Sequence, residues 1–300
     1  YITKGKTSGG TDYAFFTFGD TFVYPADTFF GNTVGFTLDS NASDGITYNY
    51  KQPGPGAASL GMTPMAFLPH SPEDPDATEN QLWFSRSFVL GEDLYSYYSS
   101  FGPGQTKLGK GLAVLRGGLK DADLATNHMD EFERIPKAQF WAPSYWFDGD
   151  PIVKTESDGV TYLYLFNQFG LQRTPFTRDG VENLANYRSW DGANWIVGPA
   201  KALWTGEFVL RATCQWNAHL NKWLAIYALF DSADGKNGQL AYRTADNLTG
   251  PWSARRVFYY GVSASAGKTL LAGDYYNPVH LPFWDAEGGK TVYVIASQSG

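Results

Sequence analysis

Residues 208–216 read Phe208-Val209-Leu210-Arg211-Ala212-Thr213-Cys214-Gln215-Trp216, and residues 222–229 read Lys222-Trp223-Leu224-Ala225-Ile226-Tyr227-Ala228-Leu229. Two apolar and aromatic runs parted by a short polar stretch predict two strands joined by a turn. A third run at 239–244 follows, and the group closes at Gly250-Pro251-Trp252. Similar groups recur along the chain. Residues 13–18 and 33–38 form a first cluster; 62–68, 81–89, 93–99 and 112–116 form a second. A third holds 140–146, 161–166 and 186–195, and a fifth holds 277–283 and 291–296. Turn signals lie between them at Asp148-Gly149-Asp150, Ser157-Asp158-Gly159, Asp191-Gly192, Ala233-Asp234-Gly235 and Glu287-Gly288-Gly289. Five successive clusters of short antiparallel strands predict an all-β chain folded as a five-bladed β-propeller. A sandwich is the alternative, but it rarely needs so many strands.

Composition agrees with this reading. The 33 glycines, 16 prolines and 17% aromatic residues disfavour long helices. With 300 residues and 43% hydrophobic content the chain can bury a full core, and no break in composition divides it. We therefore expect one domain over 1–300. The stretch 101–138 reads as a linker or insertion, polar at 107–110 and 121–133, with a short helix near 121–129. A net charge of −7 without a Lys/Arg stripe argues against nucleic acid and anionic membranes as partners. No apolar run approaches the roughly 20 residues that span a bilayer. The absence of an initiator Met and a signal peptide suggests a mature or trimmed product. Sequons at Asn41-Ala42-Ser43 and Asn247-Leu248-Thr249 fit secretion. Cys214, the sole cysteine, reads as a buried strand residue.

The residues that carry chemistry are strand-end acids. Asp20 closes the run Phe16-Thr17-Phe18-Gly19-Asp20-Thr21, and Asp39 closes Thr33-Val34-Gly35-Phe36-Thr37-Leu38. Hydrolysis of an acetal needs one protonated acid at the leaving oxygen and one carboxylate that activates water or attacks carbon. Asp20 and Asp39 are the first candidates for that pair. Glu207, again after a glycine and opening an apolar run, is a third. Acids at strand ends also serve turn backbone groups, and Asp39 is followed by the turn residues Ser40, Asn41 and Asp44. Asp12 precedes the first strand and can line the same mouth. Asp274 suits a binding loop, whereas Asp27, Asp44, Glu131, Glu133 and the acids of 73–79 read as turn or solvated charges.

Aromatic residues beside turns and prolines (Trp83, Trp141, Tyr145, Trp146, Tyr275 and Tyr276) suit stacking on sugar faces, although most such rings fill gaps between blades. Arg86 is a candidate hydroxyl donor on a buried strand. Asn277 and His280 lie on the last cluster, where His280 can touch substrate, tune an acid or sit satisfied in the core. The histidines His70, His128, His219 and His280 lack metal-ligand spacing, so no metal or cofactor is expected. There is no nucleophile elbow, phosphate loop or dinucleotide fingerprint.

An ordered series of segments resembles a known family. Phe18-Gly19-Asp20-Thr21-Phe22, followed by Asn32, Asp39 and Asp44-Gly45, is similar to glycoside hydrolase family 183, the endo-D-arabinanases once labelled domain of unknown function 4185. Further matches are Phe88-Val89-Leu90-Gly91 with Leu94-Tyr95, Tyr187-Arg188-Ser189-Trp190-Asp191-Gly192, Gly206-Glu207, Trp223-Leu224-Ala225-Ile226-Tyr227, and Thr244-Ala245 with Leu248-Thr249-Gly250-Pro251-Trp252-Ser253. The closing Tyr276-Asn277-Pro278 to Ser297-Gln298-Ser299 segment also fits. The chain departs from the family at 50–80 and 101–138. The resemblance implies a five-bladed propeller cleaving internal linkages of D-arabinofuranan, as in mycobacterial arabinogalactan and lipoarabinomannan, with Asp20 and Asp39 as the catalytic pair. The expectation is thus a secreted, monomeric, cofactor-free glycosidase that takes arabinofuranan as its partner and inverts configuration. An enzyme of L-arabinose polymers, or a non-catalytic carbohydrate-binding propeller, are the alternatives.

Overall fold

The structure, a computed structural model, describes residues 2–18, 21–23, 28–30, 32–41, 43–47, 49–53, 79, 81–126, 128–143, 149–207, 209–229, 239–259 and 275–298. The chain is all-β, with several antiparallel sheets and two five-residue helices among the described residues. Contacts divide it into two compact units. One comprises Tyr1–Asp148 and Pro175–Asn186, and the other Gly149–Thr174 and Tyr187–Gly300.

The first unit begins with β1 (Ile2–Lys6), β2 (Asp12–Phe18), β3 (Thr21–Val23), β4 (Thr28–Phe30), β5 (Thr33–Thr37), β6 (Asn49–Tyr50) and β7 (Gln52–Pro53). Its first sheet runs β1-β2-β5-β6, with β3 and β4 forming a separate hairpin. All five residues of β5 and five of the seven in β2 are buried, so these strands are covered on both faces. The second sheet is built from β8 (Gln81–Leu90), β9 (Asp93–Phe101) and β10 (Lys107–Leu115). Gly91 makes the two-residue turn between β8 and β9, its φ of 62° being one that glycine adopts without strain. Helix α1 (Asp121–Ala125) follows, then β11 (His128–Met129), β12 (Glu133–Arg134) and β13 (Trp141–Ala142). Strands β12 and β13 both pair with β10, and β11 pairs in parallel with β7.

This arrangement overturns the linker expected over 101–138. Residues 107–110 look polar, yet they begin β10, which pairs with β9 along its length. Gly109 lies beneath the Trp141 ring and Gly111 beneath the Tyr98 ring, where a Cβ would come within 2.5 Å and 2.1 Å of ring atoms. The partners that make this stretch a strand lie far away in sequence. Glu79, expected to be solvated, is also buried, in a 2.7 Å ion pair with Arg134. The core of this unit gathers Phe15, Val34, Phe36, Leu94, Ala113 and Leu119.

The second unit opens with β14 (Asp150–Thr155), β15 (Thr161–Asn167) and β16 (Gly170–Pro175). Helix α2 (Arg178–Glu182) belongs to the first unit; the Thr177 side chain caps it by accepting from the Gly180 amide. Strands β17 (Arg188–Trp190) and β18 (Trp195–Ile196) complete the sheet β14-β15-β16-β17-β18. The fourth cluster of the sequence forms β19 (Val209–Asn217), β20 (Lys222–Leu229), β21 (Gln239–Ala245) and β22 (Arg256–Tyr259), paired in that order. Finally β23 (Tyr275–His280) pairs with β24 (Val294–Gln298). Strand β19 packs against both β14 and β23 without pairing to either, so the first strands of three successive sheets adjoin. Cys214 is buried on β19 as expected, and burial, followed by the nearby Asp150 charge, pushes its thiol well up.

The strand runs expected at 81–89, 93–99, 161–166, 222–229 and 239–244 are present. The run at 186–195 is instead a 3-10 turn (Leu184–Asn186) followed by the short β17 and β18. Of 140–146, the described residues include only the two-residue β13 as strand, and 62–68 lies outside them.

Candidate functional site

Asp20 lies outside the described residues, so the pair it was expected to form with Asp39 has no described geometry. Asp39 follows β5, and its Oδ1 accepts from the Asn41 amide at 2.8 Å while its own amide donates to Thr37 Oγ1 at 3.0 Å. This is the turn role that its neighbours suggest. Asp12 is exposed and forms a 3.4 Å ion pair with Lys6 across the β1–β2 ladder. Arg86 is buried at an irregularity of β8, between Phe84 and Ser87. Trp141 is half-buried, with Gly109 against its ring and the Lys137 ammonium 4.2 Å from the ring centroid. Its environment is that of a packing residue.

The second unit brings a different set together. Glu207 follows Gly206, whose φ of 87° turns the chain just before β19. The carboxylate is only 6% exposed. Oε1 accepts from Arg243 Nη2 at 2.6 Å, from Arg243 Nε at 3.0 Å and from the Tyr227 hydroxyl at 3.1 Å, while Oε2 accepts from Arg255 Nη1 at 3.1 Å. Arg243 lies 5.4 Å from the Trp204 ring centroid, and Trp204 packs on Tyr227 with centroids 5.5 Å apart. Burial opposes the Arg243 charge, but the hydrogen bonds it donates to Glu207, together with the charges of Tyr227 and Glu207, outweigh it and its pKa is raised. Burial, and then the Glu207 charge, push the Tyr227 phenol well above its ordinary value.

Asp150, read in the sequence as turn punctuation, opens β14 and is buried. Its Oδ2 accepts from the Cys214 amide at 2.8 Å and from Gln215 Nε2 at 3.3 Å, which ties β14 to β19. The one available signal was an acid-proline step leading straight into an apolar run. On the other side of β19, His280 is buried, and its amide donates to Thr213 Oγ1 at 3.3 Å. Its Nε2 lies 2.9 and 3.0 Å from the Asp285 carboxylate oxygens, and its Nδ1 makes no hydrogen bond among the described residues. Asp285 itself lies in the turn after Pro282–Trp284 and carried no motif.

Both β19 and β23 are irregular near their starts. Arg211 and Asn277 adopt φ of 57° and 51°, and the ladders shift register beside them. Bulges of this kind re-aim side chains and recur next to active sites. Tyr276 adjoins the second bulge on β23. No cluster of His, Cys, Asp and Glu suited to a metal ion occurs among the described residues. No helix among them is long and apolar enough to cross a membrane.

No protein-family model matches the chain, and no curated protein matches it. Solved structures do. A protein of Bacteroides ovatus, provisionally described as a hydrolase, has a TM-score of 0.60 at 12% identity, covering 96% of this chain and 76% of its own. That likeness is one of fold. An endo-arabinase of Bacteroides thetaiotaomicron has a TM-score of 0.47 at 11% identity, over 100% of this chain and 93% of its own. An exo-β-1,3-galactanase of Phanerochaete chrysosporium has a TM-score of 0.44 at 11% identity, over 85% and 49%. Both of these are structurally too distant to bear on function.

Proposed function

We propose that the chain is a glycoside hydrolase built as a five-bladed β-propeller. In this reading it is secreted, works as a monomer and cleaves internal α-D-arabinofuranosidic linkages of D-arabinan. The observation that carries the reading is Glu207. A carboxylate sits at the head of a first strand, turned by a glycine and set among Trp204, Tyr227 and two arginines. Acetal hydrolysis requires two carboxyl groups, and Glu207 is a buried strand-head carboxylate beside aromatic rings. Support for the propeller comes from the described residues, where the larger antiparallel sheets follow one another in chain order and the first strands of the last three adjoin. The Bacteroides ovatus protein that shares the fold carries the broad description of a hydrolase, in keeping with this class.

In the proposed mechanism Asp20 and Asp39 divide the work, one as acid and the other as base or nucleophile, and Glu207 is a third candidate carboxylate. Asp12, Arg86, Trp141, Tyr276, Asn277 and His280 are proposed substrate contacts, although the packing of Trp141 and the surface pairing of Asp12 favour those two least. A separation of roughly 6.5–9.5 Å between the two catalytic carboxyls gives inversion, the outcome proposed here, and about 5–5.5 Å gives retention.

The test is to incubate the protein with mycobacterial arabinogalactan, D-arabinan and linear L-arabinan and to resolve the released sugars by size. A ladder of D-arabino-oligosaccharides is expected, with Asp20→Asn and Asp39→Asn each lowering turnover by orders of magnitude in a folded protein. Products from L-arabinan alone would move the assignment to enzymes of L-arabinose polymers. Unimpaired hydrolysis in both variants would overturn the site. A second reading, a non-catalytic carbohydrate-binding propeller, is favoured by the ion pairs that fully engage Glu207 and the turn that engages Asp39. It predicts binding without any new reducing ends.

A further inference from the structure

A cavity of about 650 Å³ opens in the second unit, and Glu207 is not among the residues that line it. Four tryptophans line it: Trp190 and Trp195 from β17 and β18, and Trp216 and Trp223 from the facing ends of β19 and β20. Trp216 lies seven residues along β19 from Val209, which at ~3.3 Å per residue is about 20–25 Å from the strand head near Glu207. Trp216 is 44% exposed, and its ring stands edge-on to the buried Trp223, with centroids 5.5 Å apart. The edge-on contact holds the Trp216 ring in place, and its exposed part presents a flat apolar surface to the cavity.

The opposite wall is braced. Arg173 stacks 4.2 Å from both the Tyr162 and Trp195 centroids, and Trp190 packs 5.3 Å from Trp195. The Tyr164 hydroxyl donates to Glu156, which also pairs with Lys154 at 2.5 Å. The walls therefore offer fixed aromatic surfaces, while Glu156, Lys154, Asp246 and Asn247 add donors and acceptors at their margins. Three carboxylates against two cations leave the lining with little net charge. The volume lies within the roughly 300–1,000 Å³ of small-molecule sites.

We propose that this cavity is a second, non-catalytic binding site for a neutral oligosaccharide, with Trp216 as its stacking platform. Flat C–H faces of a sugar meet the exposed ring, and its hydroxyls meet the surrounding carboxylates, ammonium and amide. The identity of the polymer rests on the function proposed above; the binding of a neutral glycan does not. A site at this end of β19 holds a polysaccharide while another segment of it is cut.

The test uses the full chain made in a host that does not N-glycosylate, because Asn247 of the second sequon lines the cavity. Native gels are run with arabinogalactan, D-arabinan, linear L-arabinan or β-1,3-galactan, and retardation is measured for wild type, Trp216→Ala, Trp216→Phe, Glu207→Gln and Asp39→Asn. Wild type is expected to be retarded by at least one polysaccharide. Trp216→Ala should abolish this retardation, Trp216→Phe should keep part of it, and the two carboxylate variants should leave it intact. If the chain hydrolyses the polymer, Trp216→Ala should raise KM several-fold on long chains, with kcat and the hydrolysis of short oligosaccharides unchanged. Retardation that survives Trp216→Ala, or that vanishes in the carboxylate variants instead, would overturn the proposal. So would the absence of retardation by every polysaccharide. Retardation without hydrolysis would sink the enzymatic reading and leave this site standing. Native near-ultraviolet circular dichroism of each variant separates lost binding from lost folding.

Discussion

One carboxylate, Glu207, faces two guanidiniums in different environments, and this makes an internal control. The side chains of Glu207 and Arg243 are 6% and 13% exposed, whereas that of Arg255 is 40% exposed. Removing one partner of a buried pair leaves the other charge uncompensated, at a cost of about 3–5 kcal/mol. Glu207→Gln keeps an acceptor for Tyr227 and Arg243 but removes the charge, so the lower end, about 3 kcal/mol, is expected. That is about a hundredfold in the folding equilibrium and a large part of the ~5–15 kcal/mol typical of folded proteins. Arg255→Ala breaks a largely solvated pair and should cost less than about 1 kcal/mol. Urea unfolding followed by tryptophan emission, to which Trp204 beside the pair contributes, measures both. A cycle of Glu207→Gln with Arg243→Met isolates the coupling. A Glu207→Gln loss below about 1 kcal/mol, equal to that of Arg255→Ala, would refute the reasoning. It would mean that this carboxylate is held no more tightly than a surface charge and is not structurally clamped.

Three further outcomes follow from the same physical arguments. In the first unit Arg116 joins Asp93 at 2.9 Å and Glu182 at 2.6 Å. Burial alone would raise both acids, but their hydrogen bonds, including those from Arg116, outweigh it and both pKa values are lowered from 3.8 and 4.5. These acids bind protons more readily when unfolded, so their contribution is complete above about pH 4.5 and is lost as pH falls through the folded values. Stability measured from pH 6 to pH 3 should drop, and Arg116→Ala should flatten that slope; an unchanged slope would exclude the network as its source. Gly111→Ala would place a Cβ about 2.1 Å from the Tyr98 ring, directly across the β9–β10 ladder. Overpacking of this kind costs about 1–3 kcal/mol, and a neutral result in a urea melt would show that Tyr98 can move aside. Asp150→Ala leaves the buried Cys214 amide without its acceptor and should cost about 1–3 kcal/mol by the same melt, whereas a variant as stable as wild type would show that the β14–β19 tie is dispensable.

Much of the β layout was legible because strand formation is written in local chemistry. Aromatic and branched runs such as 222–229, closed by Asp-Gly and Gly-Gly steps, allow little else. Glycine before Glu207 likewise announced a change of chain direction. Features that depend on a distant partner stayed hidden. The stretch 107–110 looked like a linker until Trp141 and the strands beside it supplied a surface, and Asp150 looked like turn punctuation until β19 was set against it. Asp285 became notable only through the His280 ring that it holds.

The sequence by itself determined that the chain is built of short antiparallel strands and that several acids stand at their ends. Periodicity and turn chemistry are properties of neighbouring residues, and neighbours are what a sequence lists in order. Tertiary structure alone decided which acids are held, and by what. Glu207 is enclosed by arginines from 36 and 48 residues away, Asp150 binds an amide 64 residues away, and four tryptophans from two sheets meet around one cavity. Burial and charge pairing arise only where separate strands pack, and they sort otherwise similar carboxylates into turn caps, structural clamps and candidates for chemistry.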